Sequence, residues 1–190
     1  MLTDQELWEN FLRGNAESFK MIYERTASDL FTYGRRFSTC DDLVKDCIQD
    51  LFVSLYSTRS RLGKTNKIMP YLMVSLKRSI LKRIQNDKSN KLLSVDELPF
   101  IFELAEDDNT FIDEEDSDGL QLALNCLTPR QREAVYLKYV LDFSYEELSK
   151  VLNMSYQASR NLIYRSILKL RENLKSQTLV LFLLLRKSVG

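Results

Sequence analysis

One short segment holds the side chains best suited to reading DNA. Tyr156, Gln157, Arg160, Asn161, Tyr164 and Arg165 fall on the side of a helix opposite Ile163, Ile167 and Leu170. Arginine grips the O6 and N7 of guanine, and glutamine or asparagine pairs with adenine, so this row suits a major groove. Lys169 and Arg171 are better placed for phosphate or solvent. Solvated helix faces are often polar too. What favours DNA is the setting: three successive helix starts, a three-residue link and local positive charge.

A second set lies earlier. Residues 57–88 hold nine Lys and Arg, namely Arg59, Arg61, Lys64, Lys67, Lys77, Arg78, Lys82, Arg83 and Lys88, against the single acid Asp87. Tyr56 and Tyr71 lie at its edges. Cations beside aromatic rings are what unpaired DNA requires, because phosphates are neutralised while bases stack. A solvated face also carries lysines, and the one-sidedness of the charge is the stronger signal.

Other chemistry is excluded. The chain has no histidine, which rules out Ser-His-Asp and Cys-His catalysis and histidine-ligated zinc. Cys40, Cys47 and Cys126 form no close metal-type pair, and a sparse, odd set fits a reducing cytoplasm. No cofactor and no small-molecule substrate are expected, and the protein is read as non-enzymatic. The longest apolar run, residues 179–185, is seven long, where a membrane span needs about 20.

These residues need helices to position them. Over 190 residues, apolar types make up 44%, while Gly (5) and Pro (3) are scarce. That composition favours an all-α protein. Thr3-Asp4-Gln5-Glu6 is a capping box ahead of a first helix, and a second covers residues 16–37. A third follows Asp41-Asp42, with Val44, Cys47, Ile48, Leu51 and Leu55 at helical spacing. Residues 57–67 read as a loop, and Pro70 opens a fourth helix. Thr128-Pro129-Arg130-Gln131 and Ser144-Tyr145-Glu146-Glu147 are further capping boxes, and Ser155 is a third N-cap. Asn153 ends the helix over 145–152 in the left-handed conformation. Together residues 128–173 read as a helix-turn-helix. Ser159 stands where an apolar residue would lock the second helix onto the first.

The net charge of zero conceals a sorted distribution. Residues 1–89 carry net +4, residues 90–127 net −10 and residues 128–190 net +6. Two small helical domains, 1–90 and 128–176, are therefore expected on either side of an acidic linker, 91–127, with a short helix near 98–104 and an apolar tail over 177–190. The tail either covers a groove of its own domain or binds a partner.

The order of pieces resembles the sigma factors of bacterial RNA polymerase, most closely the two-domain extracytoplasmic-function class. The likeness runs from residue 6 to 174. It rests on Gln49-Asp50-x-Phe52-x-x-Leu55-Tyr56, a basic helix with Tyr71-Leu72, the acidic linker, and Leu127-Thr-Pro-Arg-Gln-Arg-Glu133 before the helix-turn-helix. The resemblance implies that Gln49, Asp50 and Phe52 dock on the clamp coiled coil of core polymerase. It implies that residues 57–67 capture a flipped base while the basic segment opens the −10 element of promoter DNA, and that Tyr156–Arg165 read the −35 element. It also implies an anti-sigma partner. Family members often carry Arg-Asn where Lys77-Arg78 stands here. The linker either imitates phosphates in a polymerase channel or is a plain tether. The rival reading is a helix-turn-helix regulator that binds duplex DNA without polymerase.

Overall fold

The computed structural model describes residues 2–87, 99–102 and 114–174. Among the described residues the regular structure is helical and contains no strand. The chain divides into two compact units, Met1–Ser94 and Val95–Gly190.

In the first unit the starts and stops follow local chemistry. Helix α1 (Asp4–Leu12) opens on the expected capping box: Glu6 N–H donates to Thr3 Oγ1 at 3.3 Å, and Thr3 N–H donates to the Glu6 carboxylate at 2.9 Å. It ends at Gly14, whose φ of 91° suits a residue without Cβ. Asn15 then caps α2 (Ala16–Arg35) by accepting from Ser18 N–H at 2.8 Å. Helix α3 (Asp41–Thr58) has Asp41 and Asp42 in its first turn, where carboxylates meet the positive end of the helix dipole. It runs straight into a 3-10 turn (Arg59–Arg61), so the irregular part of the expected 57–67 loop is only 62–67. Helix α4 (Ile68–Asp87) begins two residues before Pro70. The proline sits in the first turn, where a missing N–H costs nothing.

The core of this unit forms where α2, α3 and α4 converge. Leu30, Val44, Cys47, Leu72, Met73, Leu76 and Ile80 are fully buried there, and Leu7, Trp8 and Phe11 of α1 close one end. Gly34 marks the closest approach. A Cβ on it would lie 2.6 Å from Val44 Cγ1 and 3.2 Å from Ile80 Cδ1, so a larger residue would push the helices apart.

The second unit starts earlier than the charge distribution suggests. Pro99–Phe102 is not helical, unlike the helix expected around 98–104; residues 98, 103 and 104 lie outside the described residues. Phe100 and Phe102 are buried against Tyr136, with ring centroids 5.6 and 5.4 Å away, and Gln121 Nε2 donates to Phe102 O at 3.0 Å. Helix α5 (Glu114–Asn125) packs on α8 (Tyr156–Asn173) and buries Leu120, Ala123 and Leu124, with Leu127 just beyond its end. Net charge took residues 114–127 for tether. Their apolar side chains recur at i, i+3, i+4 and i+7, which gives one face to the core whatever the charge of the rest. The apolar tail over 177–190 lies outside the described residues, as does Lys88.

Candidate nucleic-acid interface

Helices α6 (Pro129–Tyr139), α7 (Tyr145–Val151) and α8 build the C-terminal face. Thr128 and Ser144 form capping boxes with Gln131 and Glu147, and Ser155 accepts from Ala158 N–H at 3.1 Å. Asn153 takes φ 49°, which turns the chain between α7 and α8. Arg130 Nη2 donates to Leu152 O at 3.1 Å and ties α6 to the end of α7.

Every member of the expected reading row is exposed: Tyr156, Gln157, Arg160, Asn161, Tyr164 and Arg165. Gln157 Nε2 donates to Asn161 Oδ1 at 3.2 Å, so the two amides are aligned before any ligand arrives. Ser159 is fully buried. Its hydroxyl lies 2.7 Å from Tyr156 O in its own helix and 3.3 Å from Tyr145 O at the start of α7. A hydroxyl aimed at α7 stands at the contact where an apolar residue was expected. Tyr139 and Tyr145 were not foreseen. They border a hollow of about 500 Å³ beside Gln157, Arg160, Asn161 and Arg171. Burial raises the Tyr139 phenol above its ordinary value, so it remains a neutral hydrogen-bonding group. The signal for Tyr145 was its place directly after the Ser144 cap. Tyr139 had none, because its neighbours come from α7 and α8.

The N-terminal set is more divided. Arg61, Lys64, Lys67, Arg78 and Lys82 are exposed, and Tyr71 is 37% exposed. Arg59 stacks on the Tyr56 ring at 4.6 Å and donates to Tyr56 O at 2.9 Å. Lys64 meets Glu9 at 3.6 Å. Lys77 corrects the expected row of DNA contacts: it is only 8% exposed, with its ammonium 5.4 Å above the Phe37 ring. Arg83 spans α4 and α3, bonding Asp46 at 3.3 Å and also Asp50. The hydrogen bond to Asp50 raises the Arg83 guanidinium above even its usual value.

The three residues expected to touch polymerase also separate. Gln49 and Asp50 are exposed, whereas Phe52 is 5% exposed and packed against Phe19 and Tyr23 at 6.0 and 4.9 Å. Phe52 forms the wall of a groove of about 810 Å³ between α2 and α3, shared with Phe19, Tyr23, Ile48, Val53 and Tyr56. Val53 (62% exposed) and Tyr23 (48%) present apolar surface to solvent there. Sequence periodicity missed both, since the groove needs two helices to exist.

Among the described residues no cluster of Cys, Asp or Glu is arranged to hold a metal, and no helix is long and apolar enough to cross a membrane.

Comparison with known proteins agrees with this geometry. Residues 117–170 match the family model of sigma-70, region 4. The chain is 28% identical over 167 residues to the RNA polymerase sigma factor CarQ of Myxococcus xanthus, covering 86% of this chain and 93% of that protein. Two solved structures share the fold, each with a TM-score of 0.58. One is CnrH in complex with the cytosolic domain of CnrY, at 19% identity, covering 89% of this chain and 95% of that one. The other is the sigma factor RpoE of Bartonella quintana in complex with the anti-sigma factor NepR, at 18% identity, covering 83% and 96%. The match to region 4 begins within α5, as the packing of that helix requires, and ends on α8. With the polar row standing exposed on α8 and the likeness running on through the N-terminal helices, residues 117–170 carry the match to sigma-70, region 4, and the chain as a whole is similar to an RNA polymerase sigma factor over most of its length.

Proposed function

We propose that this sigma factor divides its work between its two units as the two-domain extracytoplasmic-function class does. The first unit docks on the clamp coiled coil of core polymerase through Gln49, Asp50 and the apolar groove beside them. Phe52 acts from within the groove wall, supporting Tyr23 and Val53, rather than as a projecting contact. The exposed cations Arg61, Lys64, Lys67, Arg78 and Lys82, with the half-buried Arg59 and with Tyr71, follow the opened −10 strand, and the 57–67 segment holds a base out of the stack. The second unit reads the −35 duplex with the α8 row. The protein carries out no bond chemistry; core polymerase does. It works in the cytoplasm, and an anti-sigma protein restrains it by covering one of these surfaces. RpoE is seen in complex with the anti-sigma factor NepR, and CnrH with the cytosolic domain of CnrY.

The observation that carries this reading is the wholly exposed base-reading row on α8 in a chain whose other unit bears a separate basic and aromatic surface. The test is capture of core polymerase by the purified protein, followed by run-off transcription. Promoter binding is expected to be strong only in the presence of core. Tight, sequence-specific duplex binding by the protein alone, with no affinity for core, would make it an ordinary helix-turn-helix regulator.

A further inference from the structure

The 62–67 loop is held by a helix more than fifty residues away in sequence. Trp8 of α1 is fully buried, and its indole Nε1 donates to Gly63 O at 2.9 Å. Asp4, in the first turn of α1, accepts from Ile68 N–H at 3.0 Å. Ile68 is the first residue of α4, and Lys67 before it has no side-chain acceptor with which to cap that helix. The cap comes instead from another helix, as a carboxylate at a helix N-terminus, where charge and dipole agree. The Trp8 ring also meets the Tyr71 ring edge-on at 5.3 Å, on the first turn of α4. The Lys64–Glu9 pair adds little, since Lys64 is largely in solvent. The two hydrogen bonds thus bracket the loop at residues 63 and 68, and the aromatic contact fixes the direction in which α4 leaves it.

We infer that Trp8 and Asp4 are positioning residues for promoter opening: α1 holds the 62–67 loop in the shape that accepts an unpaired base. The inference rests on the base-capture reading of this loop given above. Neither residue needs to touch DNA. Their effect is to order the loop before DNA arrives, so that the entropy of ordering is not charged against each base captured. Recognition of a flipped base depends on the fit of a small pocket, and a loop that is loose by about an ångström loses that fit. Tyr71, a candidate stacking ring, is held by the same tryptophan, so one side chain sets both the loop and the platform beside it.

The test uses full-length protein bound to core polymerase and two random libraries, one of single-stranded oligonucleotides and one of duplexes, with the bound fractions sequenced. The wild type is expected to show a base preference in each. Trp8→Phe keeps the ring and removes the N–H donor. It should flatten the strongest single-strand preference about fivefold, which corresponds to one net hydrogen bond of about 1 kcal/mol. Asp4→Ala should act in the same way, and Asp4→Asn should restore most of the preference, because an amide oxygen still accepts from Ile68. The duplex preference and the affinity for core should not move. A double variant of the loop itself, Lys64→Ala with Asn66→Ala, separates the layers of the argument. If it flattens the single-strand preference while Trp8→Phe and Asp4→Ala leave it intact, α1 does not position the loop. If the loop variant itself keeps the wild-type preference, the base-capture reading fails and takes this inference with it. If Trp8→Phe flattens the single-strand and duplex preferences alike, Trp8 is only a core residue.

Discussion

On α8 the polar row stands clear of the fold. On the basic surface of the first unit several side chains are already engaged. Arg160 is exposed, with Ile163 and Leu170 buried on the opposite side of its helix. Lys77 has the same formal charge and also lies on a helix, but it is buried among the residues that hold α4 in place. Arg83 bonds two carboxylates of α3, Arg59 stacks on Tyr56, and Lys64 faces Glu9. A recognition helix is bound on one side only, so its outer residues can be uncommitted. Helix α4 packs on α2 and α3 together, so fewer of its positions remain free, and a cation there is either used internally or shared. A count of positive charges therefore overstates the uncommitted cationic surface of the first unit, whereas the polar row of α8 is exposed throughout.

The sharpest way to break this contrast is a pair of alanine substitutions. Lys77→Ala should destabilise the first unit by about 2 kcal/mol, through lost packing of the stem and the lost cation–π contact, and leave base preferences unchanged. Arg160→Ala should do the reverse. Its stability should stay within about 0.5 kcal/mol of wild type. Its discrimination at one base pair of the −35 element should fall by about 1–3 kcal/mol. Urea unfolding and binding to a panel of single-base variants measure the two axes separately. A Lys77→Ala protein of normal stability that binds single-stranded DNA poorly would put Lys77 back on the DNA surface.

Those two outcomes bear on what the sequence makes visible. Helix ends were legible because their causes are local: Thr3, Thr128, Ser144 and Ser155 each accept from an N–H three residues on, and Asn153 turns the chain by its own φ. Lys77 was misread although a pattern was present. It lies four residues from both Met73 and Leu81, which are buried, so helical spacing already placed it on the inner face of α4. Residues 114–127 were misread for a related reason, because net charge has no direction and a helix does. The α2–α3 groove, the Asp4 cap on α4 and the Trp8 bond to Gly63 were not legible at all. Each joins positions whose neighbourhood only the tertiary fold creates.

Ser159 gives an effect of intermediate size on the side of the comparison that otherwise follows local rules. Its buried hydroxyl contacts the start of α7, so Ser159→Ala should cost about 1 kcal/mol. Ser159→Leu supplies an apolar side chain at this contact, but it must fit where the serine is already fully buried. It should cost about 1–3 kcal/mol through overpacking and should tilt α8, weakening −35 binding across all sequences. Thermal melting and duplex binding of the two variants decide the matter. A leucine variant more stable than wild type would mean that the serine leaves space unfilled at this contact.

The smallest expected effect lies at Arg83, where the two roles proposed for the first unit meet. Asp50 is a proposed polymerase contact and Arg83 was an expected DNA contact, yet in the free protein each engages the other. Asp50 is well exposed and Arg83 is half-buried at the surface, so salt screens the pair and it contributes little to stability. Arg83→Gln should leave the melting temperature unchanged. Its value lies in the salt dependence of single-strand binding by the polymerase complex, where each phosphate contact adds about 0.7 to the slope of log affinity against log salt. If Asp46 and Asp50 keep Arg83, the slope should not change on substitution. If polymerase draws Asp50 away and frees Arg83 for a phosphate, the slope should fall by one such step in the complex. The first result would leave α4 with only Arg78 and Lys82 as DNA-facing cations among its described residues. The second would make the contrast between the two units a property of the free protein that core polymerase partly removes.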